Sequence, residues 1–149
     1  MLFFTETWLL EKGDEVRIST LTPPCYVPFS VPRLTGPGGG ILVLVKKSIL
    51  NTKTQRIKCF TSFECSKTEL VLNNESFTFF CVYRAPPSEK NNFTPSLFIS
   101  EFEQFLDSHV SSNIRTVILG DINLHFNCPH ETYVKQMSTA LKTRNLFQM

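Results

Sequence analysis

The order of the apolar runs constrains this chain most, because strand-like runs crowd its early part and helical periodicity appears only after residue 90. "LFFT" at 2–5 is a short apolar run that ends at Glu6 and Trp8, and "ILVLVKK" at 41–47 is the most strand-like segment of all. "YVPFSVPR" fits only an edge strand or an extended segment, since Pro28 and Pro32 cannot donate to a ladder. The polar stretch from Leu10 to Thr22, followed by Pro23-Pro24, reads as loop, and "GPGGG" at 36–40 reads as a turn. Further strands are expected at 57–65, 68–72, 77–83 and 115–121, with a hairpin over Asn73-Asn74-Glu75-Ser76. Thr94 can cap a helix that has Pro95 in its first turn and Phe98, Phe102, Phe105 and Leu106 along one face. A last helix is expected over 131–143, with Tyr133, Met137 and Leu141 on one side. Strands first and helices late predict an α+β or layered α/β fold on mostly antiparallel sheets.

At 149 residues the chain fits a single domain with a substantial core. Fourteen phenylalanines against three tyrosines and one tryptophan favour buried packing over surface stacking. A net charge of +2 is too small to argue for nucleic-acid binding by itself. The five cysteines are scattered and odd in number, which favours reduced thiols in an intracellular compartment over a disulfide framework. "MLFF" is cut short by Thr5 and Glu6, so no secretory leader forms, and "ILVLV" is far too short to span a bilayer. A soluble, non-secreted, non-membrane protein is the expectation.

Three strand ends carry polar groups. "FFTETW" delivers Glu6, "FFCVYRAPP" delivers Tyr83 and Arg84, and "VILGDINLH" delivers Asp121, Asn123 and His125. Side chains two apart on an extended chain share a face, so Asp121 and Asn123 are expected to point into one cleft, with His125 beside them if the chain stays extended. Phosphodiester hydrolysis needs such a mixture. It takes one or two carboxylates to hold Mg²⁺, a carboxylate or imidazole to position water, and Asn, Tyr or Arg donors for the phosphoryl oxygens.

"TETW", "GPGGGILVLVKKS", "FECSKTEL", "VYRAPP" and "VILGDINLH" occur in an order that resembles the endonuclease domain of non-LTR (LINE-type) retrotransposons. That domain belongs to the endonuclease/exonuclease/phosphatase superfamily, together with apurinic endonucleases and pancreatic deoxyribonuclease. The resemblance covers almost the whole chain. It implies an αββα four-layer sandwich, Mg²⁺-dependent (or Mn²⁺-dependent) nicking of DNA, and an intracellular location compatible with the nucleus. Motif by motif, it implies Glu6 as the metal-binding glutamate and Tyr83 as a tyrosine facing the scissile phosphate. Asp121 would do the acid–base or water work, and Asn123 would orient the phosphate. Arg84 and His125 match residues common in the retrotransposon branch, and Arg33 is a further candidate contact to the DNA backbone. The family also has an upstream asparagine-bearing strand, a downstream Ser-Asp-His motif, and a reverse transcriptase on the same polypeptide. None of these stands in this sequence, so the resemblance implies an incomplete domain whose activity the sequence leaves open. A non-catalytic nucleic-acid-binding remnant, a degenerate fragment, and a phosphatase or exonuclease of the same superfamily are the alternatives.

Each motif also has a plainer explanation. Glu6 could be a solvated strand-end carboxylate, and Asp121 and Asn123 could be turn formers after Gly120. "GPGGG" lacks the strand-then-helix context of a phosphate cradle, which favours a hairpin turn. His125, Cys128 and His130 have no second ligand pair at zinc-finger spacing. Lys46, Lys47, Lys53, Arg56 and Lys58 form the best basic patch, and such charges most often face water.

Overall fold

Two β-sheets stack face to face in a computed structural model that describes residues 1–34, 38–49, 51–57, 60–88, 91, 93–110 and 114–148. The first sheet contains β1 (Leu2–Thr5), β2 (Tyr26–Val31) and β3 (Ile41–Lys46) in the order β1-β3-β2, antiparallel throughout. The second contains β4 (Lys53–Ile57), β5 (Glu64–Leu72), β6 (Glu75–Tyr83) and β7 (Arg115–Asp121) in that order. Its strands are antiparallel except for β7, which runs parallel to β6. A parallel neighbour needs a long crossover, and helix α2 (Pro95–His109) supplies it. Helices α1 (Glu15–Leu21) and α3 (Thr132–Lys142) complete the chain.

The strands alternate faces, and the alternation sorts the core into layers. Ile41, Val43 and Val45 meet Cys81 and Tyr83 in the space between the sheets, with Val31 and Ala85. Leu42 and Leu44 point the other way, toward Leu9, Ile18 and Tyr26 beneath α1. On the outer face of the second sheet, Cys65, Phe80 and Val82 pack against Phe98, Phe102, Phe105 and Leu106 of α2 and Met137 of α3. The layers are helix, sheet, sheet, helices, which is the αββα arrangement expected. Enclosing one phenylalanine is worth about 1.5–3 kcal/mol. The fully buried Phe80, Phe98 and Phe105 therefore fix where α2 lies on the sheet.

Local signals place several elements as expected. Asn73 and Asn74 take φ of 52° and 63°, the left-handed pair that a tight hairpin between β5 and β6 requires. Thr94 Oγ1 accepts the Leu97 amide, and Pro95 opens α2. β2 lies at a sheet edge, as its prolines demand.

Two expectations are corrected. The stretch from Leu10 to Thr22 contains the short helix α1, whose Ile18 packs against the leucines of β3. A seven-residue helix with no fully buried side chain has too weak a pattern to stand out from loop. The strand expected at 57–65 is instead the end of β4 at Ile57, a non-strand stretch over 60–63, and the start of β5 at Glu64. Phe60 and Phe63 made that stretch look like a strand, but they stack on each other at 4.8 Å and plug the core under α2. Cys59 and Lys58 lie outside the described residues, as do Gly36 and Pro37 of the glycine-rich run.

Candidate active site

One row of residues crosses three neighbouring strands at one end of the second sheet. Glu64 at the start of β5 pairs with Tyr83 at the end of β6, and Tyr83 pairs with Asp121 at the end of β7. Residues paired in register leave the sheet on the same face, so all three set out toward the first sheet. Glu6, just past β1, comes from that sheet, and Tyr83 Oη donates to Glu6 Oε1 at 2.5 Å. The sequence places these four groups far apart; strand register brings them to one edge.

Gly120 makes the row possible. Its φ is +124°, and a Cβ there would lie 2.0 Å from the Val82 carbonyl oxygen of β6. Only glycine lets β7 approach β6 closely enough for Asp121 to come level with Tyr83.

Tyr83 is enclosed, and burial raises its pKa well above the ordinary phenol value. The hydrogen bond to Glu6 and the charge of that carboxylate raise it further, against the opposing effect of Arg33. The phenol therefore stays protonated and acts as an O–H donor. Glu6 itself has φ +53° and Trp8 has φ +56°, sparsely populated conformations for such side chains. The glycine-rich run holds this loop in place. Trp8 donates its amide to the Gly39 carbonyl at 2.8 Å, and a Cβ on Gly38 would meet the Trp8 ring at 3.2 Å. Gly38, Gly39 and Gly40, ahead of β3, thus brace the Glu6 loop.

Glu64 is the residue that sequence reasoning missed. Its Oε1 accepts Arg33 Nε at 2.5 Å and its Oε2 accepts the Gly40 amide at 2.6 Å. Arg33 lies over the Tyr83 ring, 5.7 Å from its centroid. The pair also explains Gly39, where a Cβ would fall 2.4 Å from Glu64 Oε1. A cleft of about 700 Å³ opens beside Arg33 and Glu64, with Arg56, Phe60 and Phe93 among its walls.

The segment after Asp121 departs from expectation. The strand stops at Asp121, whose Oδ1 accepts the Asn123 amide at 3.0 Å, and Asn123 turns to φ +48°. This Asx turn ends the strand alternation that was expected to carry Asn123 and His125 onto the Asp121 face. Asn123 Nδ2 instead donates to the Arg84 carbonyl at 2.7 Å, and His125 stands exposed. Arg84 does not reach the protein surface at all. It is fully buried, its guanidinium donating to the carbonyls of Ile122, Asn123 and Phe93 and lying 4.9 Å from the Phe98 ring centroid. The expected contact of Arg84 with a phosphate has no counterpart in this geometry.

No protein-family model matches the chain, and no curated protein sequence does. Solved structures do. TDP2 of D. rerio, complexed with a single-strand DNA product, superposes with a TM-score of 0.57 at 13% identity, over 91% of this chain and 50% of that one. The human Nocturnin catalytic domain with bound sulfate superposes at 0.55 and 14% identity, over 93% and 56%. The C. elegans TDP2 structure superposes at 0.53 and 13%, over 84% and 38%. The likeness is one of fold. This chain spans about half the length, or less, of these solved structures.

Magnesium takes hard oxygen ligands, keeps several waters and needs only one or two carboxylates. Glu6, exposed at the edge and braced by Tyr83, fits such a site. Among the described residues no group of three or more His, Cys, Asp or Glu side chains could hold a metal, so an all-protein cage is absent there. Of the basic patch, Arg56 lines the cleft beside Arg33 and Glu64. Lys46 and Lys53 lie at the opposite ends of β3 and β4 from Gly40 and Glu64, while Arg56 donates to the Pro32 carbonyl at 2.7 Å. Among the described residues no helix is long and apolar enough to cross a membrane.

Proposed function

We propose that this chain carries a metal-dependent phosphodiesterase site that nicks DNA, of the endonuclease kind its motifs resemble. The observation that carries the reading is the register row Glu64–Tyr83–Asp121 joined to Glu6 by the Tyr83 hydroxyl. A fold shared with a structure that holds a single-strand DNA product supports nucleic acid as the substrate class. The order of the motifs supports the retrotransposon branch, and with it a nuclear site of action.

In this reading Glu6 would hold Mg²⁺, or Mn²⁺ in its place, and such an ion would supply Lewis-acid stabilisation of phosphoryl and leaving-group charge. Asp121, exposed at the strand end, orients the attacking water and accepts its proton. Tyr83 stays neutral, holds the Glu6 carboxylate in position and faces the scissile phosphate with its hydroxyl edge. One amide hydrogen of Asn123 is committed to the Arg84 carbonyl; its second hydrogen and its oxygen remain for orienting the phosphate. Arg33, steered by Glu64, and His125 supply positive or hydrogen-bonding contacts to the DNA backbone.

Supercoiled plasmid in the presence of Mg²⁺ tests the proposal. Wild type should convert it to the open circle, EDTA should stop the conversion, and Asp121→Ala should lower the rate by about 10²-fold or more. Nicking that persists undiminished in Asp121→Ala would refute the assigned chemistry. Salt-sensitive DNA binding with no nicking would favour a binding module.

A further inference from the structure

We propose that Arg84 is a positioning residue, whose buried guanidinium fixes the Asp121–Asn123 turn by binding the turn's own carbonyls. Its expected effect on turnover rests on the phosphodiesterase reading; its effect on the turn rests on geometry alone.

The contacts run both ways. Arg84 Nη1 donates to the Ile122 carbonyl at 3.2 Å and to the Asn123 carbonyl at 3.1 Å. The Arg84 main chain answers: its amide donates to the Asp121 carbonyl at 2.8 Å, and its carbonyl accepts Asn123 Nδ2 at 2.7 Å. A third carbonyl, of Phe93, takes Nη2 at 3.4 Å, and the guanidinium carbon lies over the Phe98 ring, 4.9 Å from its centroid. Arg84 thereby ties the end of β7 to the end of β6 and to the first turn of α2.

The peptide between Ile122 and Asn123 connects the cation to the site. Its carbonyl accepts Arg84, and its N–H donates to Asp121 Oδ1 at 3.0 Å. A cation on one side of a peptide polarises the donor on the other. Arg84 therefore holds the Asp121 carboxylate through a single peptide group, without touching it. The same bonds hold Asn123 in its left-handed conformation, at φ +48°.

Arginine suits this task better than lysine. A planar fork reaches two adjacent carbonyls and stacks on a ring, whereas an ammonium is a strongly hydrated point charge. Burial lowers the Arg84 pKa, and among the described residues no salt bridge involves it. Carbonyl dipoles and the Phe98 face are what compensate the charge. A surface phosphate clamp would not be built this way.

Arg84→Lys tests the assignment with two independent readouts. Hydrogen exchange at the amides of 122–124 should accelerate while far-ultraviolet circular dichroism stays unchanged. In plasmid nicking, kcat should fall on the order of 10²-fold, as for misplaced catalytic groups, with KM held within about twofold because no substrate contact is lost. Wild-type exchange rates in Arg84→Lys would overturn the proposal, and so would a loss that appears in KM alone. If wild type itself does not nick, the phosphodiesterase reading fails and the exchange experiment still decides the role of Arg84. Should Arg84→Lys not fold, Phe98→Leu removes the ring under the guanidinium and must accelerate the same amides, or the assignment fails.

Discussion

Tyr83 and Glu6 stand 77 positions apart in the chain and share one hydrogen bond, donated by the phenol across the seam between the two sheets. That bond locks the Glu6 loop to the end of β6 and keeps the phenol protonated. Glu6→Gln should therefore bring the Tyr83 pKa down toward, but not to, its ordinary value, because burial is the larger cause and remains. A folded-state pKa raised above the unfolded one contributes stability that is full below pH 10.0, the ordinary value, and is lost as pH rises above it. The ultraviolet difference spectrum of the phenolate, followed in wild type and Glu6→Gln, checks both statements.

Glu101 carries the opposite sign. Burial works against its charge, but donors from both the amides and the hydroxyls of Thr61 and Ser62 prevail and hold its pKa below the ordinary value. A depressed pKa contributes stability that is present above the unfolded value of 4.5 and is lost as pH falls through the folded value. Glu101→Ala, which leaves the buried Ser62 without its partner, should cost about 2–4 kcal/mol in urea unfolding at neutral pH. The difference from wild type should shrink in acid.

Gly120→Ala tests the strand approach on which the candidate site depends. The added methyl meets the Val82 carbonyl, and φ of +124° suits no other residue. Denaturant titration should show a loss on the order of 3 kcal/mol or more, from backbone strain and overpacking together.

Cysteine reactivity follows burial. Burial raises the Cys65 thiol far up, with Cys81 adding to it, and burial raises Cys81 to about 12. Neither should react with a thiol reagent at neutral pH until the protein unfolds, while the exposed Cys25 should react at once. Peptide mapping of the labelled native protein distinguishes these sites.

Signals confined to a few residues could be read from the sequence. The paired asparagines of the β5–β6 hairpin, the Thr94-Pro95 start of α2 and the five-residue apolar run of β3 act locally, and their elements lie where expected. Glu6, Tyr83 and Asp121 were singled out by their motifs, while the contacts among them depend on the register of β6 against β7 and on the approach of β1. Glu64 lay within the "FECSKTEL" motif but was given no role, because its significance comes from standing opposite Tyr83 and holding Arg33. Arg84 was expected at a phosphate for the same reason: the three carbonyls and the ring that bury it come from residues 9 to 39 positions away, and from Phe98. Phe60 and Phe63 misled in the other direction, apolar enough for a strand yet spent on plugging the core.

The central claim is that Glu6 and Asp121 belong to one phosphodiesterase site. Plasmid nicking rates in Mg²⁺ for Glu6→Gln, Asp121→Ala and the double variant test it most directly. Residues acting as a unit are strongly non-additive, so each single variant should lose on the order of 10²-fold or more and the double variant little beyond the worse single one. Losses that multiply in the double variant, or nicking unchanged in either single one, would contradict the account.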